Sequence, residues 1–329
     1  MIILGIDTSC DDTCVALLRH DKTMLSNIVS SQVRIHSLFG GVVPEIASRK
    51  HTEQIDIIYR NALKEAGIES TDIDLICVTA GPGLIGSVLS GLCFAKGLAV
   101  SLNKPLVGVN HVEAHARSIF LERDVDFPYV ALVASGGHTT ILVIENGFAY
   151  RVVGRTRDDA AGEAFDKIAK YLGIGYPGGH AIEELSRGGE RGYVRFPRPM
   201  IDEDNYDFSF SGLKTSFLSY AKKHGVSSQI TPSLLASFQE AICDVLFHKA
   251  IKAGKDFQAT GIVVGGGVAA NRRLREVFME KGEHTAVMFS SPQFCADNGA
   301  MVAITGYYHF REIGASPLSV KGFSRMVLK

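Results

Sequence analysis

The sequence predicts an α/β protein made of two duplicated lobes, and three stretches carry that prediction. Residues 2–6 and 13–18 read as strands around a polar turn, Asp7-Thr-Ser-Cys-Asp-Asp12. Residues 129–134 and 139–144 repeat the pattern around Ser135-Gly-Gly-His138. Further on, residues 261–264 form an apolar run that leads into Gly265-Gly-Gly267 and a helix beginning near Arg272. One polar hairpin turn is common and says little. Two matching hairpins followed by a triple-glycine turn point to duplicated lobes closing on a nucleotide. The hairpins would hold phosphates, with Asp7, Ser9, Cys10 and Asp11 forming the first, and Gly265 to Gly267 would let the backbone lie against purine and ribose. At 329 residues the chain exceeds what one core usually serves, so two domains are expected.

The intervening elements alternate in the same α/β manner. Residues 43–66 carry Ile46, Ile55, Ile57, Ile58 and Leu63 among charges and stop at Gly67, a helix with a glycine C-cap. Residues 74–80 form a buried strand, followed by Gly81-Pro-Gly83-Leu-Ile-Gly86 and a helix over 87–102. The spacing matches a dinucleotide-binding turn, but the next strand ends at Asn110 and not at an acidic residue, so that fingerprint is not supported. The helix over 88–102 is apolar nearly all round and is either core or a partner surface. Residues 158–172 read as a helix with an acidic first turn, followed by Tyr176-Pro-Gly-Gly179. Arg187, Arg191, Arg195 and Arg198, with Tyr193 and Phe196 between them, make either a phosphate-binding loop or a solvated one. Residues 205–214 show no chemistry from spacing. A last helix over 299–310 is expected to pack back on the first lobe.

His111-Val-Glu-Ala-His115 follows the strand-like run 105–110, in a segment expected to be helical over 111–121. Positions i and i+4 share a helix face, so both imidazoles can grip one ion, unless they are simply two satisfied, half-buried histidines. Asp297 lies in a second strand-end turn. Two histidines and a carboxylate with open positions suit iron or zinc. A zinc protease needs Glu directly after the first His; here Glu113 is two residues on, about 200° around the helix, and points away from any shared ion.

Composition narrows the function classes. The chain is 46% hydrophobic and 21% charged, as in ordinary globular proteins, and its apolar runs break before membrane-spanning length. Its N-terminus reads as a strand with no basic leader, and six cysteines without a Cys-x-x-Cys pair read as reduced, packed thiols, so a cytoplasmic protein is expected. A net charge of −1 excludes a general polyanion field; nucleic acid would have to meet a local patch or a partner.

Taken together, the motifs Asp7-Thr-Ser-Cys-Asp-Asp-Thr, Gly40-Gly-Val-Val-Pro-Glu-Ile-Ala-Ser-Arg, Gly81-Pro-Gly-Leu-Ile-Gly, Asn110-His-Val-Glu-Ala-His, Ala134-Ser-Gly-Gly-His-Thr, Ala164-Phe-Asp-Lys, Tyr176-Pro-Gly-Gly, Phe208-Ser-Phe-Ser-Gly-Leu-Lys and Gly265-Gly-Gly-Val-Ala-Ala-Asn resemble the TsaD family, in its bacterial form. They span most of the chain in the family's order. The resemblance implies an actin, hexokinase and Hsp70-like (ASKHA) fold, two mixed-sheet lobes around a nucleotide cleft. The first lobe would be residues 1–108 with about 299–329, and the second 109–298. The implied reaction moves threonylcarbamoyl from threonylcarbamoyl-adenylate to N6 of the adenine 3′ of the anticodon in tRNAs reading codons that begin with A, releasing AMP. One Fe2+ or Zn2+ would sit on His111, His115 and Asp297, with Mg2+ accompanying bound nucleotide, and His138 would join the two histidines as catalytic. The adenylate would lie along Ala134, Ser135, Gly136, Gly137 and His138, with Asp166, Gly179 and Glu183 near the ribose and Asn271 near adenine and phosphate. Implied partners are a TsaB-like paralogue on the first-lobe helices, a TsaE-like ATPase and tRNA, with no membrane. The family's old label of sialoglycoprotein endopeptidase is the one Glu113 argues against. Asp7 departs from the family, many of whose members carry Glu there. Two other classes share the pattern: a small-molecule kinase of the same fold, in which the paired histidines have no duty, and a non-catalytic nucleotide-binding scaffold.

Overall fold

The computed structural model describes residues 1–146, 149–282 and 285–325. The chain divides into two units, Met1–Asp124 with Ala296–Lys329, and Val125–Cys295.

The first unit opens with the strands β1 (Ile2–Asp7), β2 (Asp12–Arg19) and β3 (Met24–Ser31). A short helix α1 (Val33–His36) and a 3-10 turn lead to α2 (Pro44–Ala66), which ends where Gly67 adopts the left-handed conformation, as the sequence predicts. Then come β4 (Leu75–Gly81), α3 (Ile85–Leu102), β5 (Leu106–Asn110) and α4 (His111–Arg117). The second unit contains β6 (Tyr129–Ala134), β7 (Thr139–Ile144), β8 (Tyr150–Arg155), α5 (Ala161–Leu172), α6 (Gly178–Leu185), α7 (Ser211–His224), α8 (Thr231–Asp256), β9 (Ile262–Gly265), α9 (Arg272–Lys281), β10 (Val287–Phe289) and α10 (Pro292–Cys295). The chain then returns to the first unit as α11 (Gly299–Ile313).

Each unit holds a five-stranded mixed sheet, and the two are built alike. The orders are β3-β2-β1-β4-β5 and β8-β7-β6-β9-β10. In both, the first three strands pair antiparallel and the last two join in parallel. Parallel strands covered on both faces must be apolar throughout. β1, β4, β6 and β9 are buried almost without interruption.

On one face of the first sheet, Leu4, Ile6, Val15, Ile76 and Val78 pack with Ile55 and Tyr59 of α2 and with Leu92 and Ala95 of α3. α11 closes against the same strands through glycines. A Cβ on Gly5 would strike the Gly299 carbonyl, and one on Gly299 would stand 2.7 Å from the Gly5 carbonyl. That backbone-to-backbone approach fixes the first turn of α11, and with it the residues just before Gly299. The second core gathers Phe165, Phe196, Phe208, Phe210, Phe217 and Phe238 around the largely buried α8.

Several sequence expectations change here. The first unit reaches Asp124 and resumes at Ala296, past the expected limits at 108 and 299, because α4 follows β5 directly and packs on α11. α4 gives way at Ser118 to a 3-10 turn, where the Ser118 hydroxyl donates to the His115 carbonyl (2.9 Å). α5 begins at Ala161 and not at 158. Asp158 is drawn off to cap α7, accepting from the amides of Phe210 (2.8 Å) and Ser211 (3.2 Å) and from the hydroxyls of Ser209 and Ser211. This gives residues 205–214 their purpose: Phe208 and Phe210 are core, and the serines are bound to the cap.

α3 resolves both ways. Val88, Leu92, Ala95 and Ala99 are buried, while Ile85, Leu89 and Val100 face outward. Among the described helices it alone is long and apolar enough to cross a membrane, but its stripe packs on β4 and α2. All six cysteines are free thiols; Cys93 is exposed on α3, contrary to the expectation of packing. Three of the four loop arginines are spent on ion pairs within the unit: Arg187 with Glu184, Arg191 with Glu276, and Arg198 with Asp244.

Candidate metal centre

The centre begins with a helix start. Asn110 ends β5 and its side chain accepts hydrogen bonds from the amides of Val112 (2.9 Å) and Glu113 (3.2 Å). This N-cap makes His111 the first residue of α4 and sets His115 one turn on, on the same face. Asp297 arrives from the other end of the sequence, just ahead of α11, whose own N-cap Asn298 accepts from Met301 (2.9 Å). Because α11 is seated by Gly5 and Gly299, its leading carboxylate is delivered to the histidines.

Nε2 of His115 stands 3.1 Å from Asp297 Oδ1 and Nε2 of His111 3.7 Å from it. One ligand atom from each of the three residues lies within 4.8 Å of the others. Donors around one zinc or iron at roughly 2.1 Å stand about 3–3.5 Å apart, so the two histidine–Asp297 separations are near that spacing and the widest separation, within 4.8 Å, has to close for an ion to be held. Two imidazoles and a carboxylate match borderline cations with open positions. His111 and His115 are 5% and 0% exposed, so solvent hardly reaches either imidazole. Burial opposes a charged His111, but the carboxylates of Asp7 and Asp297 outweigh it and lift the imidazole to about 9. The centre thus favours positive charge, whether proton or metal. His111, His115 and Asp297 fit a metal.

The first hairpin turn lies against this group. Asp7 is fully buried, with Oδ1 3.4 Å from His111 Nδ1 and Oδ2 accepting from the Ser9 hydroxyl (3.0 Å); that hydroxyl is 3.5 Å from Asp297 Oδ2. Asp7, expected among the phosphate contacts, therefore faces inward. Cys10 and Asp11 are half-buried. Burial, aided by neighbouring carboxylates, pushes the Cys10 thiol well up and Asp12 to about 7, and burial also raises Asp11. Asp12 was not foreseen. Gly83 supports the turn: a Cβ there would strike the Ser9 carbonyl, and the Leu84 amide donates to the same oxygen (2.8 Å). The Gly81–Gly86 pattern is thus used for packing.

Glu113 does not join His111, His115 and Asp297. Its buried carboxylate accepts from Arg117 Nε (2.8 Å) and sits 2.8 Å from Nε2 of His309 on α11. The i, i+4 pairing of Glu113 with Arg117 is readable in sequence; His309, far along the chain, carries no such signal.

In the second unit the turn after β6 is open. The Ser135 amide donates to the His138 carbonyl (2.8 Å), while Gly136 and Gly137 are exposed and a Cβ on either meets nothing. The N-terminus of α5 abuts this turn, since a Cβ on Gly162 would stand 2.5 Å from the Ser135 carbonyl. Gly266, at φ +86°, packs on the Ala134 carbonyl, so the glycine turn after β9 joins the hairpin. Asp166 on α5 accepts from the Gly178 amide (2.7 Å), which ties α5 to the start of α6. Gly179 and Glu183 are half-buried on α6, and space is open at Gly179. Asn271 is committed elsewhere: its Oδ1 caps α9 through Leu274 (3.0 Å) and its Nδ2 donates to Gln239 (2.8 Å). Contacts thus link Ala134, Ser135, Gly162 and Gly266, and separately Asp166 with Gly178, while Asn271 is buried as a structural cap.

A family model described as "TsaD: tRNA N6-adenosine threonylcarbamoyltransferase" matches residues 23–304. A curated relative of that enzyme name from Syntrophus aciditrophicus (strain SB) is 49% identical over 333 residues, covering 100% of this chain and 98% of the relative. Among solved structures, HypF of T. kodakarensis aligns at TM-score 0.65 and 14% identity over 94% of this chain and 48% of its own. The (R)-2-hydroxyglutaryl-CoA dehydratase component A of Acidaminococcus fermentans aligns at 0.59 and 15% over 95% and 100%. At such identities these two speak for the fold alone, an ASKHA-like pair of α/β units. With a model matched over most of its length and a full-length relative at 49% identity, the chain belongs to the TsaD family.

Proposed function

We propose that this chain transfers the threonylcarbamoyl group of threonylcarbamoyl-adenylate to N6 of the adenine 3′ of the anticodon in tRNAs reading codons that begin with A. The observation that carries the reading is the assembled trio His111, His115 and Asp297 in a chain of this family. The N6 nitrogen bonds to the carbamoyl carbon, the carbon–oxygen bond to phosphate breaks, AMP departs with the bonding pair, and N6 loses a proton. The mixed anhydride is already activated, so no Ser or Cys nucleophile is needed. His111, His115 and Asp297 would hold Fe2+ or Zn2+, which when bound would supply Lewis acidity.

The protein's own contribution is mainly placement, because an exocyclic amine is a weak nucleophile. The exposed turn at Gly136 and Gly137, beside the N-terminus of α5, suits the adenylate phosphate and the charge that grows on departing AMP. Asp166 and Glu183 serve the ribose, Gly179 leaves room beside it, and His138 at the edge of the turn can take the N6 proton. Asn271 acts from behind, by holding α9 beneath the glycine turn. Mg2+ would accompany bound nucleotide. Outward apolar residues Ile57 on α2 and Ile85, Leu89 and Val100 on α3 support docking of a TsaB-like paralogue, with a TsaE-like ATPase as second partner. A cytoplasmic setting accords with free thiols and a tRNA substrate.

The test is reconstitution: the chain, both partners, an adenylate-forming enzyme, threonine, bicarbonate, ATP and unmodified tRNA, with digested nucleosides read by mass. Threonylcarbamoyl-adenosine is expected, falling at least ~100-fold with His111→Ala. No product, with partners active beside a known transferase, would make the chain a nucleotide-binding scaffold. Full turnover by His111→Ala in metal-free buffer would remove the metal from the reaction.

A further inference from the structure

The place of Asp7 raises a question that the proposed reaction leaves open. A carboxylate with no exposed surface is costly unless a positive group or donors meet it. Its Oδ2 is served by the Ser9 hydroxyl at 3.0 Å. Its Oδ1 is aimed at His111 Nδ1, 3.4 Å away, a little beyond a good N–H···O bond at roughly 2.7–3.2 Å. On the opposite side of the same ring, Nε2 faces Asp297 Oδ1 at 3.7 Å. The ring is thus held between two carboxylates, one at each nitrogen. His115 differs. Its Nε2 also faces Asp297, at 3.1 Å, but no second carboxylate pairs with its ring among the described residues.

We propose that Asp7 is a positioning residue for the metal centre, holding the Nδ1–H of His111 so that the Nε2 lone pair is the one presented to the ion. An imidazole bound at one nitrogen to a metal commonly donates its other N–H to a carboxylate, which fixes tautomer and ring angle and raises ligand basicity. Here the hairpin supplies that carboxylate. The Ser9 hydroxyl, reaching toward Asp7 and Asp297 alike, ties the positioning carboxylate to the ligand carboxylate. The shorter Asp side chain at this position has the reach required, since its Oδ1 is already within a few tenths of an ångström of bonding distance. This assigns the first hairpin to building the metal centre, and the inference rests on the reading of His111 as a ligand.

Two measurements on the full chain decide it. Zn2+ is titrated in competition with a chromophoric chelator for the wild type and for Asp7→Asn and His111→Ala. The wild type should bind one zinc that His111→Ala loses, and Asp7→Asn should bind about 10- to 100-fold more weakly. In parallel, the ring nitrogens of His111 are read by 15N NMR in the zinc-loaded wild type, a measurement independent of how any variant folds. Nδ1 should be protonated and Nε2 metal-bound. Zinc bound through Nδ1, or wild-type affinity in Asp7→Asn, would overturn the proposal while leaving the metal centre standing. A wild type that binds no zinc and no iron would instead overturn the reading of His111 as a ligand, and the proposal with it.

Discussion

The two hairpin turns occupy the same place in two sheets of the same order, yet they are opposite in character. Between β1 and β2 the turn is Asp7 to Asp12, with Asp7, Thr8 and Ser9 buried and carboxylates crowded against histidine. Between β6 and β7 it is Ser135-Gly-Gly-His138, with both glycines exposed and open space where a Cβ would stand. The strand-end turns differ likewise: β5 runs into an asparagine cap and two histidines, β10 into Ser290 and Ser291. The scaffold alone does not decide what a site does. Buried charge that must be balanced makes a place for a cation. An exposed glycine turn without side chains leaves room for a ligand.

Glycines offer the sharpest way to break this comparison, because the same residue type does opposite work in the two units. Gly299→Val would press side-chain carbons into the Gly5 carbonyl and the Ala16 amide, backbone on both sides, so α11 would have to lift off the sheet. The expected cost is beyond about 4 kcal/mol in urea unfolding, with zinc binding lost because Asp297 moves with α11. Gly136→Ala meets open space. Its melting temperature should match wild type, while AMP binding by calorimetry weakens several-fold. If Gly136→Ala unfolds the chain or Gly299→Val is tolerated, the division of labour between the turns is wrong.

Next in size is a contrast between two buried guanidiniums. Arg273 in the second unit is met by Glu240, Glu276 and Glu280. Arg117 in the first has Glu113 at Nε, and its two Nη atoms are buried without a hydrogen-bond partner among the described residues. Glu113 also holds His309, so it clamps the histidine helix to the helix that follows Asp297. Glu113→Ala should cost about 3 kcal/mol by leaving a buried cation alone, and Glu240→Ala only about 1 kcal/mol because two carboxylates remain. Equal losses in urea titrations would show that Glu113 is not a lone counterion.

Smaller again is the effect at Asn271, and it bears on what the sequence could reveal. Asn271→Ala removes a cap and the bond to Gln239, so about 1–2 kcal/mol of stability should go, with AMP affinity changed less than by Gly136→Ala. Caps are local, and Asn110, Asn271 and Asn298 each follow a strand or turn and precede a helix, so all three helix starts were legible. The His111–His115 pair was legible for the same reason, being a matter of spacing on one helix. The hairpins were legible as period-two runs around turn residues. What could not be read was set by long-range packing. The surroundings of Asp7 depend on His111 arriving beside it, the partner of Glu113 lies 196 residues away, and the seating of α11 places Asp297. The segment 205–214 looked silent because its chemistry is to fill the core and satisfy Asp158.

The smallest effect separates the units by the sign of their pH dependence. In the first unit Asp12 is raised to about 7, chiefly by burial and then by Asp297 and its acidic neighbours. A carboxyl raised on folding from an ordinary value near ~3.9 contributes stability below that value and loses it as pH rises toward 7. In the second unit burial also pushes on Asp158, but the hydroxyls and amides of the α7 cap prevail and hold it below its ordinary value. Such a carboxyl contributes stability above ~3.9 and loses it as pH falls through the lowered value. Asp12→Asn should therefore flatten the decline in melting temperature from about pH 4 to 7, and Asp158→Asn the decline below about pH 4. The Asp158 change should be only roughly 1–2 °C, since its bonds are water-exposed and screened. Two variants that altered the same limb of the profile would mean that the acids of both units sit in like surroundings. The buried, cation-seeking turn and the exposed, donor-rich cap would then no longer stand as opposites.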